Sequence, residues 1–445
     1  MGVVSVRVGT RVGNGRLRRA GVAATLVASW FLSDSFQPAA DASAGEPGSA
    51  ERSVGLTDPA LAGACAPSQV VKDGDLFAPP GVRAGDVLAT TQAQPRPVVD
   101  ELIADPFGFR LPPQAPDGAR TSGKWLLGTS GSRTPGFPLY RLDPQSGSWV
   151  SHVVDGRQLA IFPEGQLPAW WRRGRDQNPV PWAPEIHVRT DFLTVHYTAP
   201  DHGRVLRIGY ATATSIEGPW TDHGFLDLNV RARDVAPDFP AAGNPVLGLI
   251  DSHITTVTDA AGCDRTFLLA KVDGNALRWT ERDGTPRSAP TPIVAYEIRQ
   301  HPDGVIHVVG APTVLTTNQP HHDGLVESPF VIQSDGEQYL VYSAGFYGNR
   351  NYRTYIARLD LLNGWVGDER LLIATGNRAL RGMWNGPGHP SLIKVGDGLF
   401  ELYVHAWREG MDHRGGDDRR TLMLHLAFRD SEMRRSDPYV VEERF

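Results

Sequence analysis

The 445-residue sequence contains only two cysteines, so at most one disulfide can form within the chain. No extended helical period stands out, and no glycine-rich loop of the kind that cradles a nucleotide follows a predicted strand. The apolar run Ala20–Leu32 is too short to cross a membrane as a helix. A formal net charge of −6 argues against nucleic-acid or anionic-membrane partners. The 48 glycines and 35 prolines instead favour many short strands joined by turns.

The N-terminal segment has the layout of an export signal. Five arginines between Arg7 and Arg19 precede the apolar run, and Ala42-Ser43-Ala44 fits a cleavage site. We therefore predict a signal peptide over residues 1–44, an N-terminal arm over 45–100 and a folded domain over 101–445. The mature protein is expected to be secreted, by an export route that the sequence leaves open.

The two cysteines are Cys65, in the predicted arm, and Cys263, in a predicted turn of the folded domain. Cysteines in exported proteins are more often paired than free. This favours a Cys65–Cys263 disulfide, with two isolated thiols as the alternative.

A strand–turn–strand plan recurs five times in the folded domain. The first strands begin within IADPFGFRL, WAPEIHVRT, IDSHITTVT, LVESPFVIQ and GHPSLIKVG, and the second strands begin at Lys124, Phe192, Thr266, Gln338 and Phe400. A near-constant period of all-β units is typical of a propeller, in which each unit is one blade. The sequence therefore predicts an all-β, five-bladed β-propeller. Each first strand carries one acid or histidine near its start, and we expect these five to point into one funnel at equivalent positions: Asp105, Glu185, Asp251, Glu327 and His389.

Three of these residues, Asp105, Asp251 and Glu327, could perform acid–base chemistry together. Cleaving a glycosidic bond with inversion needs a carboxylic acid to protonate the leaving oxygen and a carboxylate to activate water on the opposite face of the sugar. A third carboxylate nearby raises the pKa of the acid by like-charge repulsion. The alternative is that these acids, like Glu185, are structural and bind backbone amides at blade edges.

The motifs IADPF, WAPE, EGPW, LIDSH, VESPF, GPGHPSL and YVHAW, in this order, resemble glycoside hydrolase family 43. That resemblance runs from about Ile103 to the C terminus. It implies a general base at Asp105, a general acid at Glu327 and a modulator of the acid's pKa at Asp251. It also implies that His389 lies near the propeller axis and faces a calcium or other ion, mostly through water.

Three further residues are candidates for substrate binding: Trp182, His253 and Arg420. Arg419 or Arg420 matches the arginine that contacts substrate beside the base in this family, and we take Arg420 as the candidate. Trp182 either packs between blades or offers a stacking surface for a sugar ring. Ser252-His253 departs from the family pattern, as does Ser328 after the acid, and both departures imply a different sugar pocket.

The resemblance implies a secreted, inverting hydrolase that removes terminal pentoses from plant cell-wall glycans, of the α-L-arabinofuranosidase or β-xylosidase type. Its partners would be arabinan, arabinoxylan or xylan, with no nucleic acid or membrane, and we expect a monomer. A propeller that binds glycans without hydrolysing them is the alternative from a different class. The run His321-His322-Asp323 could bind metal, but we interpret it as a loop surface.

Overall fold

The computed structural model describes residues 96–130, 136–163, 166–171, 181–240, 243–275, 277–281, 283–334, 336–415, 418–428 and 438–440. The predicted signal peptide, most of the predicted arm and Cys65 lie outside these residues. Cys263 is disulfide-bonded, and its pairing with Cys65 remains a prediction. No helix within the described ranges is long and apolar enough to span a membrane.

Five antiparallel sheets follow one another along the chain. The first sheet contains β1 (Ile103–Leu111), β2 (Gly123–Ser130), β3 (Tyr140–Leu142) and β4 (Trp149–Ser151), and a small hairpin follows it, β5 (Val153–Val154) and β6 (Arg157–Gln158). The second contains β7 (Trp182–Val188), β8 (Leu193–Pro200), β9 (Leu206–Ala213) and β10 (Thr221–Phe225). The third contains β11 (Val230–Arg231), β12 (Val246–Thr258), β13 (Asp264–Asp273), β16 (Ile293–Gln300) and β17 (Ile306–Thr316), with a separate hairpin of β14 (Arg278–Thr280) and β15 (Pro286–Ser288).

The last two sheets have the same plan. The fourth contains β18 (Val326–Ser334), β19 (Glu337–Ala344), β20 (Arg353–Asp360) and β21 (Trp365–Ile373), and the fifth contains β22 (Trp384–Gly396), β23 (Leu399–Arg408), β24 (Arg420–Phe428) and β25 (Pro438–Val440). Helical segments are short: α1 (Gly118–Thr121), α2 (Ala232–Val235) and the 3₁₀ turns Pro320–His322, Arg378–Leu380 and His413–Gly415.

The first long strand of each sheet lies in a ring around a common axis. Strand β1 contacts β7, β7 contacts β12, β12 contacts β18, β18 contacts β22, and β22 contacts β1 again. The chain therefore forms a closed, five-bladed β-propeller, and the predicted fold class is confirmed. Buried aromatic and aliphatic side chains such as Trp125, Tyr197 and Leu402 fill the space between the blades.

Each inner strand carries a β-bulge near its start. The first bulge residue has a positive φ in every blade, between 46° and 55°, at Asp105, Ala183, Asp251, Ser328 and His389. A non-glycine residue in this region costs about 1–3 kcal/mol and must be held by its surroundings. The second bulge residue is proline in four blades, and proline leaves no unpaired N–H.

The bulges correct one expectation about register. Asp105, Asp251 and His389 occupy equivalent positions, as expected, but Glu327 lies one residue before its bulge and Glu185 is the first paired residue after its own. Successive side chains in a strand point to opposite faces, and a bulge adds one residue to this alternation. A prediction from the alternation alone therefore assigns residues beyond the bulge to the wrong face. The five predicted polar residues therefore lie in three successive layers.

Candidate active site

Asp105 lies in a tightly held, positively charged environment at the mouth of the axial channel. Its backbone N–H donates to Nδ1 of His405 (3.1 Å), and its Oδ2 accepts from the hydroxyl of Thr129 (2.7 Å). Its Oδ1 lies 3.3 Å from Nη1 of Arg419 and 3.4 Å from Nδ1 of His389. Burial alone would raise the pKa of Asp105, but His389 and Arg419 outweigh it and hold that pKa well below its usual range. Asp105 is therefore ionised, as a general base requires.

His405 supports Asp105 in its neutral form. Its Nδ1 accepts the Asp105 N–H, so its own proton lies on Nε2, and its ring stacks on that of Tyr352 with centroids 5.5 Å apart. Burial lowers the pKa of His405 to about 4, so the ring stays neutral at ordinary pH. Sequence reasoning did not identify His405 or Thr129, although the YVHAW motif contains the former.

Asp251 is the carboxyl group with the opposite electrostatic tendency. Its Oδ2 accepts hydrogen bonds from the backbone N–H and the hydroxyl of Ser328, both at 3.1 Å. Burial, together with the charges of Glu327 and Asp105, raises its pKa to about 6 despite the opposing effect of His389. Its proton is thus exchanged near neutral pH, which suits a residue that modulates a neighbouring acid.

Glu327 forms a buried ion pair. Its Oε2 lies 3.0 Å from Nζ of Lys271, whose side chain is fully enclosed. The contact with Lys271 leaves Oε1 without a hydrogen bond to any residue that the structure describes. The sequence analysis assigned no role to Lys271, because nothing in the motif around it indicates a contact 56 residues along the chain.

Two of the three carboxyl groups are linked by contacts, and the third lies next to one of the linking residues. Nδ1 of His389 lies 2.8 Å from the hydroxyl of Ser328, and that hydroxyl donates to Asp251. His389 also contacts Asp105, so two intermediate groups link Asp105 to Asp251, and Ser328 is the direct neighbour of Glu327. The sequence prediction that Asp105, Asp251 and Glu327 converge on one mouth agrees with this geometry.

The predicted substrate-binding residues have different surroundings. The arginine that contacts Asp105 is Arg419, whose guanidinium also lies 4.8 Å from the ring centre of Tyr347. Arg420 begins β24 and points elsewhere, to Asp418 and to the backbone carbonyl of Asp100. The choice of Arg420 over Arg419 is therefore corrected, because adjacent residues at the start of a strand face opposite sides.

Trp182 and His253 lie at different depths. Trp182 is half-buried and occupies the position before the bulge in the second blade, equivalent to Glu327 in the fourth. His253 lies in the layer below the bulges, with Nδ1 2.8 Å from Glu185 and its ring 4.3 Å from that of Phe330. Trp182 can therefore reach a ligand at the mouth, whereas His253 forms part of the floor beneath it.

The residues near the axis fit calcium poorly. Calcium takes six to eight oxygen ligands, but Nδ1 of His389 faces Ser328 and Asp105. The buried inner-strand atoms that lack partners in the described ranges are mostly imidazole nitrogens, both of His187 and Nε2 of His253, with Oδ1 of Asn385 as the one oxygen. A calcium ion would have to be held largely by water, and we derive no step through an ion.

A second cluster of metal-ligand side chains lies on the fourth blade. Nε2 of His321 and of His322 lie 2.6 Å and 3.2 Å from Oε1 of Glu369. The backbone N–H of Gln319 donates to Nδ1 of His322, so the proton of this neutral ring lies on Nε2 and occupies the lone pair that a metal would need. His322 is also fully buried, so it is not the loop-surface residue that the sequence analysis expected, and the cluster is a hydrogen-bonded one.

No protein-family model and no curated protein matches the sequence. Solved structures do match the fold. A thermostable family-43 glycoside hydrolase is 20% identical over 79% of this chain and 98% of its own, with a TM-score of 0.55. A xylan β-1,4-xylosidase from Bacillus halodurans C-125 is 17% identical over 78% of this chain and 56% of its own (TM-score 0.51), and an α-L-arabinofuranosidase from Lactobacillus brevis is 16% identical over 82% and 100% (TM-score 0.50). The predicted resemblance to family 43 is confirmed at the level of the fold.

Proposed function

We propose, from this shared fold and the arrangement at the mouth, that the protein is a glycoside hydrolase that inverts the configuration of the sugar. The observation that carries the proposal is three buried carboxyl groups at one end of the axial channel: Ser328 and His389 link Asp251 to Asp105, and the charge of Glu327 acts on Asp251. The pKa of Asp105 is lowered and that of Asp251 is raised, although the two residues are neighbours. Acids that only bind backbone amides at blade edges would not need such opposite shifts.

The chemistry follows from the environment of each group. Asp105, held ionised, takes a proton from a water molecule as that water attacks the anomeric carbon. Glu327 gives its proton, from Oε1, to the glycosidic oxygen as the bond to the leaving group breaks. Arg419 orients Asp105, and Asp251 holds Ser328 while its charge influences the proton of Glu327.

We propose terminal pentoses of plant cell-wall glycans as the substrate class, with arabinan, arabinoxylan or xylan as the polymers. Two of the structures that share the fold, a xylosidase and an arabinofuranosidase, support this choice. Half-buried Trp182 and exposed Phe346 near the mouth suit the apolar faces of sugar rings. The leader sequence supports secretion.

The test is a panel of nitrophenyl α-L-arabinofuranoside and β-D-xyloside with linear arabinan and xylan. We expect hydrolysis of at least one member, and proton NMR should show a first-formed sugar of inverted anomeric configuration. A first product of retained configuration would contradict inversion. Binding to arabinan or xylan without any hydrolysis would instead support the glycan-binding alternative.

A further inference from the structure

The seams between neighbouring blades are closed by one repeated contact. The contact begins on the second strand of a blade, at the residue that pairs with the inner-strand residue just before the bulge. In four blades this second-strand residue accepts a hydrogen bond from the backbone N–H of the first bulge residue in the next blade. The pairs are Thr129 with Ala183 (3.0 Å), Thr198 with Asp251 (3.3 Å), Ser343 with His389 (2.7 Å) and His405 with Asp105 (3.1 Å). All four acceptors are uncharged oxygens or a neutral ring nitrogen.

The seam between the third and fourth blades departs from this pattern. Lys271 occupies the equivalent position, opposite Ile250, and an ammonium group cannot accept a hydrogen bond. The N–H of Ser328 is accepted by Asp251 instead, and Lys271 extends to Glu327. A threonine, a serine or a neutral histidine closes the other four seams, so closing this one does not require a lysine.

Enclosing a lysine side chain completely is costly unless its charge is compensated. The compensation here comes from Glu327 at 3.0 Å, with Asp273 at 3.8 Å. Of the five residues at this position (Thr129, Thr198, Lys271, Ser343 and His405), Lys271 alone carries a charge, and its seam is the one beside the proposed acid.

We propose that Lys271 is a positioning residue for the acid: its ammonium holds Oε2 of Glu327 so that Oε1 faces the leaving oxygen, and its positive charge acts directly on the acid. The proposal rests on the proposed function. It concerns how the acid is held and not which group is the acid.

The charges that face Glu327 come from several strands. Lys271 contacts it from β13 and is itself 3.8 Å from Asp273, Asp251 acts on it from β12, and Tyr352 from the loop before β20. His389, on β22, acts on Asp251. Lys271 is the only cation in direct contact with Glu327 among the described residues, so it is the group whose removal changes the balance most.

The first experiment measures kcat/KM against pH on a pentose oligosaccharide for the wild type, Lys271→Met, Lys271→Thr and Lys271→Arg. Loss of the ammonium removes a charge that favours the carboxylate, so the alkaline limb should move to higher pH by about one unit in the Met and Thr variants. The Arg variant should keep the limb in place. The value at the optimum should fall by up to about 10²-fold in the Met variant, since Glu327 loses its anchor.

Ser343→Ala serves as the seam control, because it removes the contact to the next blade without changing any charge at Glu327. Its alkaline limb should coincide with that of the wild type. An unmoved limb in a folded Lys271→Thr variant would overturn the proposal and leave Lys271 a structural residue.

A second measurement does not depend on activity. Glu327→Gln leaves Lys271 buried without its partner and should lower the melting temperature, and Lys271→Met in that background should restore part of the loss. Additive losses in the double variant would show that the two side chains do not interact and would overturn the proposal. A wild type without glycosidase activity would overturn the proposed function itself. An active wild type, together with a Lys271→Thr variant whose alkaline limb does not move, would overturn only the role of Lys271.

Discussion

The two ends of the same five inner strands differ in chemistry. At the mouth, the bulges carry Asp105, Asp251 and their charged partners, with strained backbone and hydrogen bonds across every seam. Farther along the strands, Phe107 and Phe109 stack 5.4 Å apart beside a cavity of about 250 Å³, whose aromatic and aliphatic lining also includes Glu185, His187 and His253. A bulge therefore separates a functional end from a packing end within a single strand.

The largest expected difference between the two ends is catalytic. Asp105→Asn should lower turnover of every substrate by at least about 10²–10⁴-fold, because water activation is needed whatever the leaving group. Phe109→Leu, at the packing end, should keep turnover close to the wild-type value. Steady-state rates on an aryl pentoside and on a polymer test both variants, and substantial activity of Asp105→Asn on either would contradict the assigned base.

The reverse contrast is expected for stability. Phe330→Ala should lower the free energy of unfolding by about 3–5 kcal/mol, because the ring is buried against His253 and Phe107. Leu371→Ala, at an outer-strand position that is 54% exposed, should change it by less than about 0.5 kcal/mol. Urea denaturation measures both, and equal losses would show that the packing end does not carry the stability assigned to it.

The third prediction is that ionised Asp251, at the mouth, lowers the free energy of unfolding of the protein. Its pKa in the folded state, about 6, lies above the usual 3.8, so its ionised form is penalised on folding. That penalty is absent below about pH 3.8 and fully present above about pH 6. Asp251→Asn should therefore raise the free energy of unfolding by roughly 2–3 kcal/mol at pH 8 and by less at pH 5. The same substitution should lower the activity. A gain that does not vary with pH would contradict this origin.

The smallest effect concerns the rim of the mouth. Phe346 is 37% exposed and packs against Tyr347, on whose ring Arg419 lies. Phe346→Ala should raise KM for oligosaccharides about 2- to 10-fold and leave aryl monosaccharides unchanged, because only longer substrates reach the rim. Trp365→Ala, which changes a more exposed aromatic residue on an outer strand, is the matched control. An equal rise of KM in the two variants would show that Phe346 does not contact the substrate.

The sequence was sufficient for the repeat and not for its register. Five paired strand patterns predicted the five blades, and the motifs around Asp105, Asp251 and Glu327 predicted three acids at one mouth. The proline in the second bulge position follows Ser328, as it follows Asp105 and His389, but this mark has a meaning only once the bulge is known, so the layer of each acid was not predicted. Glu185, expected among the acids, lies in the floor with His253 for the same reason.

Contacts between blades were also beyond sequence reasoning. Lys271 and Glu327 lie on different blades, and their contact depends on the curvature of the ring and not on local spacing. The choice between Arg419 and Arg420 depended on which face the first residues of β24 present. Both features become predictable only once the closed propeller is known.

The central claim, that Asp105 and Glu327 divide the roles of base and acid, is tested most directly with Glu327→Gln. The measurement is the ratio of kcat/KM on an aryl pentoside with a good leaving group to that on a natural oligosaccharide, compared with the same ratio in the wild type. Because a good leaving group needs little protonation, the ratio should rise by about 10²–10⁴-fold in Glu327→Gln and stay near the wild-type value in any residual activity of Asp105→Asn. Equal losses on both substrates in Glu327→Gln would contradict its role as the acid.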